Sequence, residues 1–323
     1  MIKIDTRLPV ASPLRPNAAK NPVTEYEFRT DVFTSENGRE QRVARRARPR
    51  VTVKYECLAY QPGHAQACID FFRTLGGSAI ALPDFRLLGA AVAVPGSGVV
   101  VLHENECVWP IGTTILIQSM TSLAGHVASV AGYDPVGGSI QIDPPIPASF
   151  PADQAVSVGS CISASLSDIS VQMRGPSVLT VAVEATIFPQ EAQLLGVTTG
   201  NLVFPLRHGD AAPMSFDASK KTRVLDYERG AVFEFKGEDF RVTGTRTYDL
   251  TALQLSQAEK DAAVRFFSTC KGRCKAFSVP EGVIPGNFGS STTRHRFASD
   301  ILSVEHIDAH KSRISTKIVE IPA

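Results

Sequence analysis

Little in this sequence points to chemistry. There is one tryptophan, Trp109, and the six cysteines (Cys57, Cys68, Cys107, Cys161, Cys270, Cys274) are spread thinly through 323 residues. That is unlike the dense disulfide framework of a small secreted domain, so the thiols are read as reduced. The net charge is only +1, which excludes a chain-wide attraction to nucleic acid or to an anionic membrane. No uninterrupted apolar run of about 18 residues occurs, and the first residues lack the apolar centre of a signal peptide. No membrane span is expected, and synthesis in the cytoplasm is. A Gly-x-Ser-x-Gly elbow, a Walker loop and a dinucleotide fingerprint are all missing from strand-to-helix positions. "PGSG" at 95–98 reads as a turn. With no nucleophile or acid–base pair legible, no enzyme, catalytic residue or cofactor is expected.

What is present favours strands. Val, Thr and Ile stand between turn signals supplied by 24 Gly and 21 Pro, and 43% of residues are hydrophobic, enough to bury a core. The expected class is mainly β with short helices (α+β).

The informative comparison is internal. "YECLAYQPGHAQACIDFFRTLGGSAIALPDF" (55–85) and "YDLTALQLSQAEKDAAVRFFSTCKGRCKAFSVPEG" (248–282) each read strand, helix, glycine stop, strand. With two extra residues in the second loop, Ala67, Phe71, Phe72, Thr74, Gly77 and Ala81 recur as Ala262, Phe266, Phe267, Thr269, Gly272 and Ala276. Cys68, Ile69, Phe72 and Leu75 form one helical stripe, matched by Ala263, Val264, Phe267 and Cys270. The adjacent pairs Phe71-Phe72 and Phe266-Phe267 are therefore the expected repeat core. Ser256 and Glu259 have capping-box spacing, and Gly76-Gly77 and Gly272 sit where left-handed stops are wanted. "DISVQMRGPSVLTVAVEATIFP" (168–189) and "DILSVEHIDAHKSRISTKIVEIP" (300–322) both open Asp-Ile and read as hairpins, turning at Arg174-Gly175-Pro176 and Asp308-Ala309-His310.

The expected organisation follows from that repeat. Residues 1–25, carrying Pro9, Pro13, Pro16 and Pro22, form an extended arm that needs a partner to order it. The first unit takes 26–92 and 164–189, interrupted at 93–163 by a small β-barrel or β-sandwich. Residues 190–213 are a linker, and 214–323 are the second unit.

Four features are weighed for function. Cys270-x3-Cys274 has metal-ligand character, but both positions are apolar in the other copy, and a buried free Cys behaves as a small hydrophobe. His306 and His310, with Asp308 between them, have the i, i+4 spacing of a shared helical face, yet they fall at a strand-turn-strand and read as a solvated hairpin tip. Trp109 reads as core or interface. The arginine run holds Arg39, Arg42, Arg45, Arg46, Arg48 and Arg50 against Glu40. It suits phosphates, but no aromatics for base stacking interleave it. A solvated strand is the plain alternative, and an inter-subunit seam is preferred because Arg is enriched at interfaces.

"FRTDVFTSENGREQR" (28–42), the extended segment into "VTVKYEC", the helix ending "DFFRTLGGSA" and the strand before "PDF" together resemble the distal-tail proteins of long-tailed phages and gene transfer agents. Phe28-Arg29-Thr30, Gly38, Glu40-Gln41-Arg42, Phe71-Phe72 and Gly76-Gly77 carry the resemblance, which covers about 28–86. It implies two tandem tail-tube-like β-sandwich or barrel units, each with one packed helix, and a structural virion protein of the tail tip or baseplate, made in the bacterial host cytoplasm. The expected partners are the chain itself, as a trimer with pseudo-sixfold symmetry or a hexamer, with the tail tube, tape measure and hub or fibre proteins. The expected interface is the arginine run. The rival from another class is a receptor- or carbohydrate-binding module seated in 93–163. A metal-cluster-bearing hub protein is the third reading.

Overall fold

A computed structural model describes residues 10–11, 20–34, 40–59, 66–67, 69–71, 74–75, 79–103, 109–119, 122, 124–134, 136–151, 155–175, 178–187, 214–217, 224–226, 232–234, 245–279, 294–307 and 311–321. The fold is mainly β, with two helical segments. Sixteen strands share one sheet, and two separate hairpins complete the set.

The N-terminal segments are β1 (Val10–Ala11), β2 (Val23–Glu27), the hairpin β3 (Thr30–Thr34) and β4 (Glu40–Ala44), and β5 (Arg50–Ala59). β5 shows why this sequence makes a strand: Val51, Val53, Tyr55 and Cys57 alternate into the core while Lys54 and Glu56 face the other way. Helical residues follow at 66–67, 69–71 and 74. Leu75 is buried and Phe71 packs partly buried against the same cluster. Cys68 and Phe72 of the expected stripe, and the Gly76-Gly77 stop, lie outside the described residues.

The chain continues through β6 (Ile80–Ala93), β7 (Val99–Leu102), β8 (Thr114–Ser119), β9 (Gly125–Asp134), β10 (Ser139–Asp143) and the 21-residue β11 (Ala155–Gly175). Their pairings close on themselves in the order β6–β7–β10–β9–β8–β11 and back to β6, so these six strands form a barrel. Closure removes free edges. Ala91, Ala93, Val100, Leu102, Ile115, Ile117, Val130, Ile140, Val156 and Val158 fill its interior, joined by Trp109, Ile146 and Phe150 from the loops. The alternation is clean in β7, where Val100 and Leu102 point in and Val99 and Val101 are exposed. Beyond the barrel, β6 and β11 run on together, Ile80 opposite Ala164, before β11 turns back into β12 (Val178–Ile187). β12 pairs with β5, giving the order β6–β11–β12–β5 around a core of Val53, Tyr55, Cys57, Leu82, Ala164, Val181 and Val183.

The C-terminal part holds β13 (Met214–Asp217), the hairpin β14 (Val224–Asp226) and β15 (Val232–Glu234), β16 (Thr245–Leu255), a helix Gln257–Cys270, then β17 (Phe277–Ser278), β18 (Arg294–Phe297), β19 (Ile301–His306) and β20 (Ser312–Ile321). The helix begins at Ser256, whose side chain accepts from the Glu259 N–H while the Glu259 carboxylate accepts from the Ser256 N–H. This is the capping box expected from the sequence. It ends with Lys271 and Gly272 both left-handed, at φ 53° and 62°. Ala263, Val264, Phe267 and Cys270 form its buried stripe, packed on Tyr248, Leu250, Leu302, Val304, Ile314 and Ile318. Burial pushes the Cys270 thiol up to about 12, so it packs as a protonated hydrophobe.

Strand order in this half matches the first. β17 pairs with β18, and β18 with β20; β19 pairs with the same strand, β20, whose other edge holds β16. With β18 and β19 standing for the one long β11, the order is again post-helix strand, hairpin, pre-helix strand. The correspondence reaches further back than the sequence suggested: β2, then β3–β4, precede β5 as β13, then β14–β15, precede β16. β2 pairs antiparallel with β5, and β13 with β16.

Two departures concern the ends of elements. β2 starts at Val23, inside the stretch expected to be an extended arm, and β1 pairs parallel with Ile80 and Ala81 of its own chain. These pieces are sheet strands because neighbouring edges leave backbone donors to satisfy. His306 is buried, not a solvated hairpin tip: it closes β19, its Nε2 2.9 Å from the Thr24 hydroxyl on β2. Asp308 and His310, like the expected linker 190–213, lie outside the described residues.

Candidate functional site: the seam between the two halves

β2 is the element that joins the halves. It lies between β5 and β19, with Glu25 opposite Thr52 on one side and Ser303 on the other. The five residues of β2 thereby turn two sheets into one continuous sheet. On one face of this junction Lys54 meets Glu25 at 2.8 Å and Glu184 at 3.8 Å, and Lys20 contacts Glu56. The hydrogen bond that Lys54 donates to the Glu25 carboxylate holds its ammonium above its ordinary range.

Directly after β2, the Phe-Arg-Thr motif is anchored on the second half. Phe28 is buried in the C-terminal core with its ring edge-on to Phe267, centroids 5.9 Å apart, and its N–H donates to the Asp300 carbonyl at 2.8 Å. The Thr30 N–H and hydroxyl both donate to the Asp300 carboxylate, at 2.9 and 2.8 Å. That carboxylate also accepts from the Arg273 N–H at 3.0 Å and pairs with its guanidinium at 3.2 Å. The Arg273 side chain in turn donates to the Thr30 carbonyl at 3.1 Å. Asp300 sits where β18 breaks before β19, the point at which the carboxylate can face the incoming chain. Gly272 is required there: a Cβ would lie 2.5 Å from Asp300 Oδ1 and 3.1 Å from Phe28 Cβ.

The β3–β4 hairpin then lies on the second half through a charge network. Glu40 accepts from Arg42 and from Arg296, each at 2.7 Å, and Arg42 reaches the Arg273 carbonyl at 3.4 Å. The hydrogen bond from Arg42, aided by Arg296, holds the Glu40 carboxyl below the usual range despite some desolvation. Of the expected arginines, Arg42 enters this network. Arg45 pairs with Asp31 at 2.5 Å, Arg46 with Glu27 at 3.3 Å, and Arg50 donates to the Thr186 hydroxyl at 3.1 Å. Arg48 is exposed and Arg39 lies outside the described residues. So the run divides between contacts inside one chain and an exposed remainder.

Among the repeat-core residues, Phe267 is fully buried, and Phe266 is half-buried against Phe277 and Phe297 at 5.1 and 6.0 Å. Phe71 holds the equivalent half-buried place in the first half. Asp300, Arg273, Arg296 and His306 were not recognised as seam residues from the sequence. The one available signal was the Asp-Ile that opens both hairpin segments, but nothing local shows that Asp300 meets Thr30, 270 residues away.

The seam offers hydrogen bonds, ion pairs and strand edges. Among the described residues no three His, Cys, Asp or Glu side chains converge on a possible metal position, and none of the helices there is long and apolar enough to cross a membrane. No protein-family model and no curated protein matches the chain.

Proposed function

We propose that this protein is a structural ring component of a phage tail tip, a distal-tail or baseplate protein that joins the tail tube to the hub and fibres, and not an enzyme. What carries the reading is the repeated unit of strand, hairpin, strand, helix, strand and hairpin, together with a seam that joins one copy to the next head to tail. Such a contact uses different surfaces on its two sides, so it propagates and closes into a ring when the rotation allows. Three chains would then present six similar units, matching a sixfold tube on one side and a threefold tip on the other; six chains would give a larger ring. The tail-tube-like character of the units, the residence in the virion and the partners (tube, tape measure, hub and fibre proteins) belong to the same reading. It is tested by native mass measurement and electron microscopy of the purified protein and of the particle. A ring of three or six chains supports the reading, and a stable monomer with no ring in the particle overturns it.

The barrel favours a second reading, a receptor- or carbohydrate-binding module. It has its own core, and the chain enters and leaves it through β6 and β11. Pro83 and Cys161 are cross-strand partners, so replacing 84–160 by Asn-Gly leaves a hairpin. If the barrel is the adsorption module, particles with this variant assemble but do not adsorb.

A further inference from the structure

We infer that β13 of one copy adds to the open edge of β11 in the next copy, as β2 adds to β19 within the chain; the inference rests on the ring reading above. Within the chain, β2 is antiparallel to the pre-helix strand β5 of its own half and to β19 of the other half. β13 has the same place beside β16, and no described strand covers its second edge. The strand that corresponds to β19 is the distal part of β11. One edge of that part pairs with β12, and the other pairs with β6 only as far as Ala164. Beyond Ala164, no described strand lies on it. Each half therefore has one connecting strand and one receiving edge. Only one of the two possible junctions is made inside a single chain.

The register follows from the repeat. Asp168-Ile169 corresponds to Asp300-Ile301, and Ile301–Glu305 is the stretch that pairs with β2. On β2, Glu25 stands opposite Thr52, three residues before Tyr55; on β13, Asp217 stands opposite Thr245, three residues before the matching Tyr248. Glu25 faces Ser303 across the seam, so Asp217 of one copy faces Val171 of the next. Val171 is an apolar side chain left 39% exposed at this edge. Asp168, the counterpart of the Asp300 hub, is also exposed, its carboxylate accepting only the Ile169 N–H among the described contacts. Unused strand edges of this kind are templates for another chain.

The test uses the full chain with cysteines at facing positions, because directly opposed residues of an antiparallel pair bring Cα atoms within disulfide range. Oxidised Asp217→Cys/Val171→Cys protein is expected to give a covalent ladder on a non-reducing gel, ending at the ring's own number of chains. A mixture of the two single variants is expected to give dimers and nothing larger, and each single variant alone no new band. Ser170→Cys and Gln172→Cys as alternative partners cover a one-residue slip. If native mass shows a ring but none of these pairs cross-links, this junction is wrong while the ring reading stands. If no ring forms at the highest soluble concentration, both fail.

Discussion

Phe28 lies edge-on to Phe267 at a centroid distance of 5.9 Å and an interplanar angle of 64°, so the residue that directly follows β2 completes the core of the far half of the chain. The two halves are consequently coupled through an apolar contact as well as through strand pairing.

Removing that ring should be costly for the second half. Phe267→Ala is expected to lose roughly 3–5 kcal/mol and Phe28→Ala a comparable amount. Because the rings touch, the double variant should lose less than the sum by about 0.5–1.5 kcal/mol. Urea unfolding of the four proteins checks this, and additive losses would mean the rings contribute independently.

Asp300→Asn weakens the ion pair with Arg273 and keeps one acceptor oxygen for Thr30. Amide exchange in β3 and β4 should then speed up roughly tenfold or more, as expected for a loss of about 1.5–3 kcal/mol from a charge-assisted bond. Exchange in the barrel strands should stay unchanged, since the described partners of the Asp300 carboxylate are Thr30 and Arg273, both outside the barrel. Uniform acceleration through the whole chain would contradict a local role.

Gly272→Ala meets two obstacles, a left-handed φ of 62° and a Cβ placed 2.5 Å from Asp300 Oδ1. The φ alone costs about 1 kcal/mol, and displacing the carboxylate adds to it. A loss of about 2 kcal/mol or more in unfolding free energy is expected. The variant should also show faster exchange at Thr30, because the same shift disturbs both contacts.

Two groups predict separate acid transitions. Burial holds His295 below its ordinary value, so the unfolded state binds the proton more readily. The stability contributed is therefore full above about pH 6.5 and falls as the pH drops toward the folded value. His295→Gln should flatten this part of the profile. Glu40 is held low chiefly by Arg42, so its contribution is present above about pH 4.3 and is lost below that. Glu40→Gln should reduce the acid loss there while costing only about 1 kcal/mol at neutral pH, because the pair is partly exposed. Urea midpoints measured from pH 3.5 to 8 separate the two windows.

The sequence by itself determined what local physics controls. Helical periodicity placed Ala263, Val264, Phe267 and Cys270 on one buried stripe, and the Ser256–Glu259 spacing specified the cap, because both depend on residues a few positions apart. Alternation and turn residues marked the hairpins β11–β12 and β19–β20, and the short Gly- and Pro-bounded strands of the barrel. Only the tertiary structure decided that β2 enters between β5 and β19, that Phe28 belongs to the core around Phe267, that Asp300 is the hub for Thr30 and Arg273, and that His306 is buried against Thr24. A strand's edge donors carry no signature of the partner they will meet, and a carboxylate far along the chain gives no local pattern. Those pairings are set by which surfaces the packed halves bring together, which is why the sequence marked the arginine run as a charge cluster but not its division between Glu40, Asp31 and Glu27 of the same chain.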